Sequence, residues 1–303
     1  MLQDATAGDP ITGLKWTRKS VRALTRQLRR RGFPVGRETV RRLLHGLRYA
    51  LRVNRKRKNR RQDPGRDRQM RYLVRRRRAG LKAKMPVISV DTKKKELVGN
   101  FRNPGRTWRQ RPLEVLATDF ASDASGKAIP YGIYDLQHNT GFILVGTSHE
   151  TAQFAVASIR TWWQVLGHWQ YPGAQRLFIE ADGGGANASR SWVWKAELQK
   201  LADEFQLTIT VSHLPPSASK WNLADHRLFC HISQNWAGQP LVDYETILKF
   251  IRTTKTDTGL RCRARLDRRS YPTGVKLSAE DKTKINLVRH RLLPKWNYTI
   301  QPH

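Results

Sequence analysis

Apolar positions in the first fifty residues recur at helical spacing. Val21, Leu24 and Leu28 repeat within 17–31, and the positions between them are rich in Arg and Lys, which predicts one amphipathic helix. Gly32-Phe33-Pro34-Val35 interrupts it, and Val40, Leu43 and Leu44 set the inward face of a second helix over 36–45. Gly46 ends that helix, and 47–51 is read as a short wing. A third helix is expected at about 66–84, carrying Arg75-Arg76-Arg77-Arg78. From Pro86 onward the period changes. β-rich segments are expected at 87–91, 113–119, 128–134 and 142–147, then a helix at 151–167. A strand at 177–181, a helix at 190–205, a strand at 207–212 and a helix starting near Trp221 complete the series.

Two architectures follow from this order. Helix, short Gly-containing turn and basic second helix is the layout of a helix-turn-helix. It would present Arg37, Arg41 and Arg42 to groove edges and phosphates. Three strands, helix, strand, helix, strand, helix is the order of an RNase H-like core, a mixed sheet flanked by helices. The expected fold class is therefore α/β, preceded by a small all-α helix-turn-helix domain. The expected domains are 1–51 (helix-turn-helix), 52–85 (basic linker and helix) and 86–303 (the RNase H-like catalytic domain).

Charge sharpens that division. The chain has 303 residues and a formal net charge of +33, which points to a polyanionic partner. Residues 1–85 hold 28 Lys+Arg against 5 Asp+Glu, a net of +23; the rest hold 57 − 28 = 29 against 24 − 5 = 19, a net of +10. A hydrophobic share of 39% with 10 Trp excludes a disordered basic tail. Arg55, Lys56, Arg57 and Lys58 form a basic run expected to neutralise phosphates without reading sequence. Cys230 and Cys262 give neither zinc spacing nor a disulfide framework. No signal peptide is evident, and no stretch approaches the roughly 18 apolar residues of a membrane span. A soluble, cytoplasmic protein is expected.

Three carboxylates carry the candidate chemistry. Asp91 closes Val87-Ile88-Ser89-Val90, and Asp182 closes Leu177-Phe178-Ile179-Glu180-Ala181 just before Gly183-Gly184-Gly185. Asp225 lies in Lys220-Trp221-Asn222-Leu223-Ala224-Asp225-His226. Ligands of doubly wound sheets sit beyond the strand carboxyl ends, where the first two fall. Hard divalent cations take oxygen ligands, and two of them about 3.5–4 Å apart can drive phosphodiester chemistry. Asp91, Asp182 and Asp225 are thus the expected catalytic and metal-binding residues, with Mg²⁺ as the metal and Mn²⁺ as a substitute. Lys93, Lys94 and Lys95 follow Asp91 and are expected to attract the DNA backbone. Asp119, Asp123, Asp135 and Glu180 are read as turn, cap or hairpin residues. His213 and His226 lie near the proposed site.

Val90-Asp91-Thr92-Lys93-Lys94-Lys95-Glu96, Glu180-Ala181-Asp182-Gly183-Gly184-Gly185 and Ser219-Lys220-Trp221-Asn222 resemble bacterial insertion-sequence transposases of the ISAzo type. These are DDE transposases related to the mariner group. The resemblance runs over nearly the whole chain, to Leu293-Pro294-Lys295-Trp296-Asn297-Tyr298-Thr299. It implies an RNase H-like core, Mg²⁺ dependence, and cutting and joining of element ends into target double-stranded DNA by a homo-oligomer. Two departures stand out. The family's third acid is normally Glu in Trp-Asn-Pro-Ile-Glu-His, where this chain has Asp225. Relatives usually carry a further N-terminal DNA-binding segment, which leaves open whether this N-terminus is truncated. A decayed DNA-binding relic or regulator, or an RNase H-type nuclease, are the competing readings.

Overall fold

The structure, a computed structural model, describes residues 6–8, 15–17, 19–52 and 63–303. They divide into two compact units, one within Met1–Lys58 and one within Asn59–His303. The basic run Arg55, Lys56, Arg57 and Lys58 lies outside the described residues.

The smaller unit holds β1 (Thr6–Gly8), β2 (Lys15–Thr17), α1 (Val21–Arg30) and α2 (Arg37–Gly46). β1 and β2 pair antiparallel, Thr6 opposite Thr17. The unit is therefore not all-α, and this corrects the expected architecture. β2 extends to Thr17, and the first helix begins only at Val21 because the Ser20 side chain caps it, accepting from the Ala23 N–H. Val40 and Leu24 are buried between the helices, but Leu43, expected to face inward, is 54% exposed. Residues 47–51 form a turn and irregular chain, with no strand of a wing.

The larger unit begins with α3 (Arg66–Lys82), followed by β3 (Val87–Thr92) and β4 (Glu96–Val98). β5 (Gly126–Asp135) and β6 (Thr140–Gly146) complete an antiparallel meander with β3. Next come α4 (Ala152–Trp162), a π turn at Trp163–Gly167 and α5 (His168–Gln170). β7 (Arg176–Ala181), α6 (Trp192–Phe205) and β8 (Thr208–His213) follow, and both strands run parallel to β3. The central order β6-β5-β3-β7-β8, three antiparallel strands and then two parallel ones, is the expected RNase H-like sheet.

The rest of the chain extends this sheet. After a π turn at Asp225–Phe229 come α7 (Cys230–Asn235), α8 (Tyr244–Thr253) and β9 (Arg261–Asp267), which pairs parallel with β6. α9 (Ala279–Thr283), β10 (Leu287–Arg289) and β11 (Asn297–Ile300) close the unit, with β11 antiparallel to β8. The expected strand at 113–119 is absent; 99–125 is a loop with a short 3-10 turn at Ala121–Asp123. Leu113 and Leu116 are exposed there, so their apolar character has no sheet to join.

Helices cover both faces. Trp162, Phe154 and Ile159 of α4 and Trp194 and Leu198 of α6 pack with Ile88, Val90, Tyr131 and Ile179. Leu228, Ile232, Ile247 and Ile251 pack on the opposite face against Ile143 and Val145. Each such fully buried side chain contributes about 1.5–3 kcal/mol. Among the described residues, no helix is long and apolar enough to cross a membrane.

Candidate active site

Sheet register assembles the site. β3 and β7 are parallel neighbours with Val90 opposite Ala181. The residues that follow, Asp91 and Asp182, therefore emerge side by side at the carboxyl ends of adjacent strands. Both line one groove with Thr92, Lys95, Glu150 and Gly185. They also line a second groove with Arg190, Pro215, Ser219 and Asn222.

Each carboxylate is held by polar neighbours, and its oxygens keep lone pairs beyond those hydrogen bonds. The Thr92 N–H donates to Asp91 Oδ1 at 2.7 Å, and Asn222 Nδ2 donates to Asp91 Oδ2 at 2.5 Å. Asn222 is buried, and its Oδ1 accepts from the Ala224 N–H at 3.1 Å. Asn187 Nδ2 donates to Asp182 Oδ1 at 3.3 Å, and Asn187 Oδ1 accepts from Tyr131 at 2.6 Å. Burial, and then the Asp182 charge, push the Asp91 carboxyl up to about 7; Asp225 adds last, while Thr92 and Asn222 pull downward. Burial also raises the Asp182 carboxyl, Glu150 adding to it against the pull of Asn187 and Gly184.

Behind Asp182 runs a fixed chain of hydrogen bonds. A backbone carbonyl only accepts, so His213 Nδ1–H donates to the Asp182 carbonyl at 2.8 Å. His213 Nε2 then accepts from the Tyr298 hydroxyl at 3.0 Å, and that oxygen accepts from Trp194 Nε1 at 2.8 Å. Burial lowers the His213 imidazole to about 4, so it stays neutral. Lys195, lowered by burial to about 8, donates to the Ser189 carbonyl at 2.5 Å and to that of Ser191 at 3.2 Å, bracing the loop after the glycines. Gly185 in that loop has φ +57, in the left-handed region where a side chain is strained.

The expected site residues do not all converge. Asp225 is exposed and opens the π turn ahead of α7. Among the described residues, no group of three His, Cys, Asp or Glu could hold a metal ion. Lys93 is buried, pairs with Glu96 at 2.8 Å and lies over the Trp236 ring, and it also lines the groove that holds Asp91 and Asp182. Lys94 and Lys95 are exposed, and Lys95 pairs with Glu150 at 3.0 Å. No Lys or Arg forms an ion pair with Asp91 or Asp182 among the described residues. In the smaller unit Arg37, Arg41 and Arg42 are exposed on α2, with Arg41 near Glu38 at 3.8 Å.

The model of the family described as Rhodopirellula transposase DDE domain matches residues 1–302. The chain belongs to this transposase family. No curated protein matches it. Solved structures similar to this transposase chain include the Mos1 strand transfer complex, at 14% identity and TM-score 0.45 over 77% of this chain and 64% of that one. A Mos1 mariner paired-end complex with Mn has 18% identity and TM-score 0.44 over 77% and 65%. The HTLV-2 integrase catalytic core with magnesium has 11% identity and TM-score 0.31 over 58% and 90%. The chain spans less than two thirds of the length of the chain in the Mos1 strand transfer complex.

Several neighbours of the carboxylate pair were not among the expected residues. Asn222 sits inside a motif read from sequence, but its role as the partner of Asp91 is tertiary. Glu150, which precedes α4, faces Asp182 from a segment 32 residues earlier, and local pattern carries no signal for that. Two of the competing acids are structural: Asp135 is buried and accepts from Tyr171 at 2.7 Å, and Glu180 is buried and pairs with Arg77 of α3; Asp119 and Asp123 are exposed in the 99–125 loop.

Proposed function

We propose that this transposase cleaves and joins DNA by divalent-metal phosphoryl transfer at Asp91 and Asp182, with Asp225 as third ligand. The observation that carries the reading is the carboxylate pair itself. Two half-buried acids from adjacent strands lie together with no Lys or Arg among the described residues paired to them, and burial and then the Asp182 charge raise Asp91 to about 7. A hard cation relieves that repulsion and suits an all-oxygen donor set. Bound Mg²⁺ or Mn²⁺ supplies charge stabilisation at phosphoryl oxygens and a nucleophile at neutral pH. The chain's own residues do the positioning. Thr92 and Asn222 orient Asp91, Asn187 orients the Asp182 carboxylate, and His213 fixes its backbone. Lys94 and Lys95 beside the groove favour a polyanion.

The same reading gives 1–51 the role of holding double-stranded DNA through Arg37, Arg41 and Arg42. It makes 52–85 a basic connection that includes Arg55, Lys56, Arg57 and Lys58, and 86–303 the catalytic part. Pairing of two element ends calls for a homo-oligomer on DNA.

One observation favours the reading of a decayed relic that binds DNA. Asp225 is exposed and does not complete a three-acid group with the pair. Aspartate is one methylene shorter than the family's glutamate, and a misplacement of about 1 Å can cost around a hundredfold in rate. The test is cleavage of a labelled duplex carrying the element's terminal repeat, with Mg²⁺ or Mn²⁺. We expect the native chain to cut, Asp182→Ala to be silent and Asp225→Glu to cut faster. Binding without cutting by the native chain and by Asp225→Glu alike would leave only the relic.

A further inference from the structure

α3 belongs to the larger unit, and its two faces differ sharply. One face is anchored. Gln69 Nε2 donates to the His213 carbonyl and to Asn297 Oδ1, both at 2.9 Å. Leu73 is fully buried, and a Cβ at Gly80 would collide with Val87. Arg77 donates twice to Glu180, at 2.6 Å from both Nε and Nη2, on the strand that ends at the catalytic pair.

The other face is a row of free cations. Arg68, Arg71, Arg75, Arg78 and Lys82 are all exposed, at intervals of 3, 4, 3 and 4 residues. At about 100° per residue they fall within roughly 80° of helix circumference. None of the five forms an ion pair with an acid among the described residues; Arg75 lies over the Tyr72 ring. The only acid in the helix is Asp67, in its first turn. Like charges three and four residues apart repel, and the anchored face holds the helix against that cost.

We propose that this stripe is a DNA-binding surface of the larger unit, distinct from α2, which takes the phosphodiester backbone of duplex DNA without reading sequence. The proposal rests on the DNA reading above. Its dimensions fit the ligand. From Arg68 to Lys82 the helix rises about 21 Å, and one strand of a duplex carries about six phosphates over that length. Guanidinium forks suit phosphate oxygens. The anchors add function to fit, because Gln69 and Arg77 tie the helix to the two strands that position Asp182. DNA held on the stripe is thus held at a fixed position relative to the carboxylates.

The test measures affinity of the full chain for a random-sequence duplex of about 30 base pairs as KCl is raised. The variants are Arg68→Gln/Arg71→Gln/Arg75→Gln/Arg78→Gln, the same four sites changed to Lys, and Arg71→Gln alone. Each phosphate that a variant no longer neutralises lowers the slope of log K against log salt by about 0.9. The fourfold Gln variant should lower the slope by about 3 to 4, the single variant by about 0.9, and the Lys variant by almost nothing. The single variant keeps the test decisive should the fourfold one unfold. A slope unchanged in Arg71→Gln and in the folded fourfold Gln variant overturns the stripe while leaving DNA binding intact. Absence of salt-dependent binding by the native chain overturns the DNA reading itself.

Discussion

At the scale of single residues, the proposed metal site sets carboxylate charge against the burial that resists it. Asp91 shows the cost most clearly. Its folded-state value of about 7 lies above the ordinary 3.8. The metal-free folded chain therefore retains a proton that the unfolded chain releases. The stability this provides is fully present below about pH 4 and is lost as pH rises through 7. Melting in EDTA from pH 5 to 8.5 should show Asp91→Asn gaining on the native chain as pH rises, by at least roughly 3 °C at pH 8. A constant difference across that range would show that Asp91 ionises normally. His213 acts in the opposite sense, since its lowered value favours the fold above pH 6.5; comparing native and variant isolates Asp91.

In the proposed site, His213 is a positioning residue. Its ring hydrogen-bonds to the Asp182 carbonyl and the Tyr298 hydroxyl, and loss of such outer partners commonly weakens metal sites 10–100-fold. His213→Ala should lose about that factor in Mn²⁺ affinity. His213→Asn, which retains an N–H donor near the Asp182 carbonyl, should regain part of it. Equal losses in both variants with unchanged melting would show that the hydrogen bond does not position Asp182.

At the scale of elements, what could be read from sequence depended on how far each element's partners were written locally. β3 and β7 are continuous apolar runs because both faces of the sheet are covered. Their terminal aspartates were therefore legible along with them. α4 was legible from its apolar spacing and its Thr151 cap, which accepts from the Phe154 N–H. The segment 113–119 has strand-like composition but no partner, and stays a loop. β9 went unread for the converse reason. Arg261-Cys262-Arg263-Ala264-Arg265 alternates exposed Arg with buried small residues, and its charge hid a period-2 strand. β10 and β11 are three and four residues long; β11 owes its pairing to β8, and β10 pairs in turn with β11. The π turn that carries Asp225 is likewise set by packing against β5 and β6, and no local signal announces it.

α3 supplies the element-scale prediction. Arg77 and Glu180 form a buried pair, and removing one partner strands the other. Arg77→Met should cost about 3–5 kcal/mol, and Arg77→Met/Glu180→Leu should recover most of it. Urea denaturation of the three proteins checks this. A loss below about 1 kcal/mol in the single variant would mean that water already reaches the pair.

At the scale of the whole molecule, the charge asymmetry and the carboxylate pair divide the labour. The first 85 residues hold a net +23 and include both α2 and the exposed stripe of α3, and the remaining residues supply the sheet that carries Asp91 and Asp182. The central claim is that this pair is a divalent-metal site. Its most direct measurement is a Mn²⁺ titration of the metal-free full chain, with bound ion followed by electron paramagnetic resonance, for the native protein, Asp91→Asn and Asp182→Ala. We expect saturable binding by the native chain and its loss in both variants, each with an unchanged fold by circular dichroism. Undiminished Mn²⁺ binding in Asp91→Asn and Asp182→Ala, or none by the native chain at millimolar Mn²⁺, would contradict the claim.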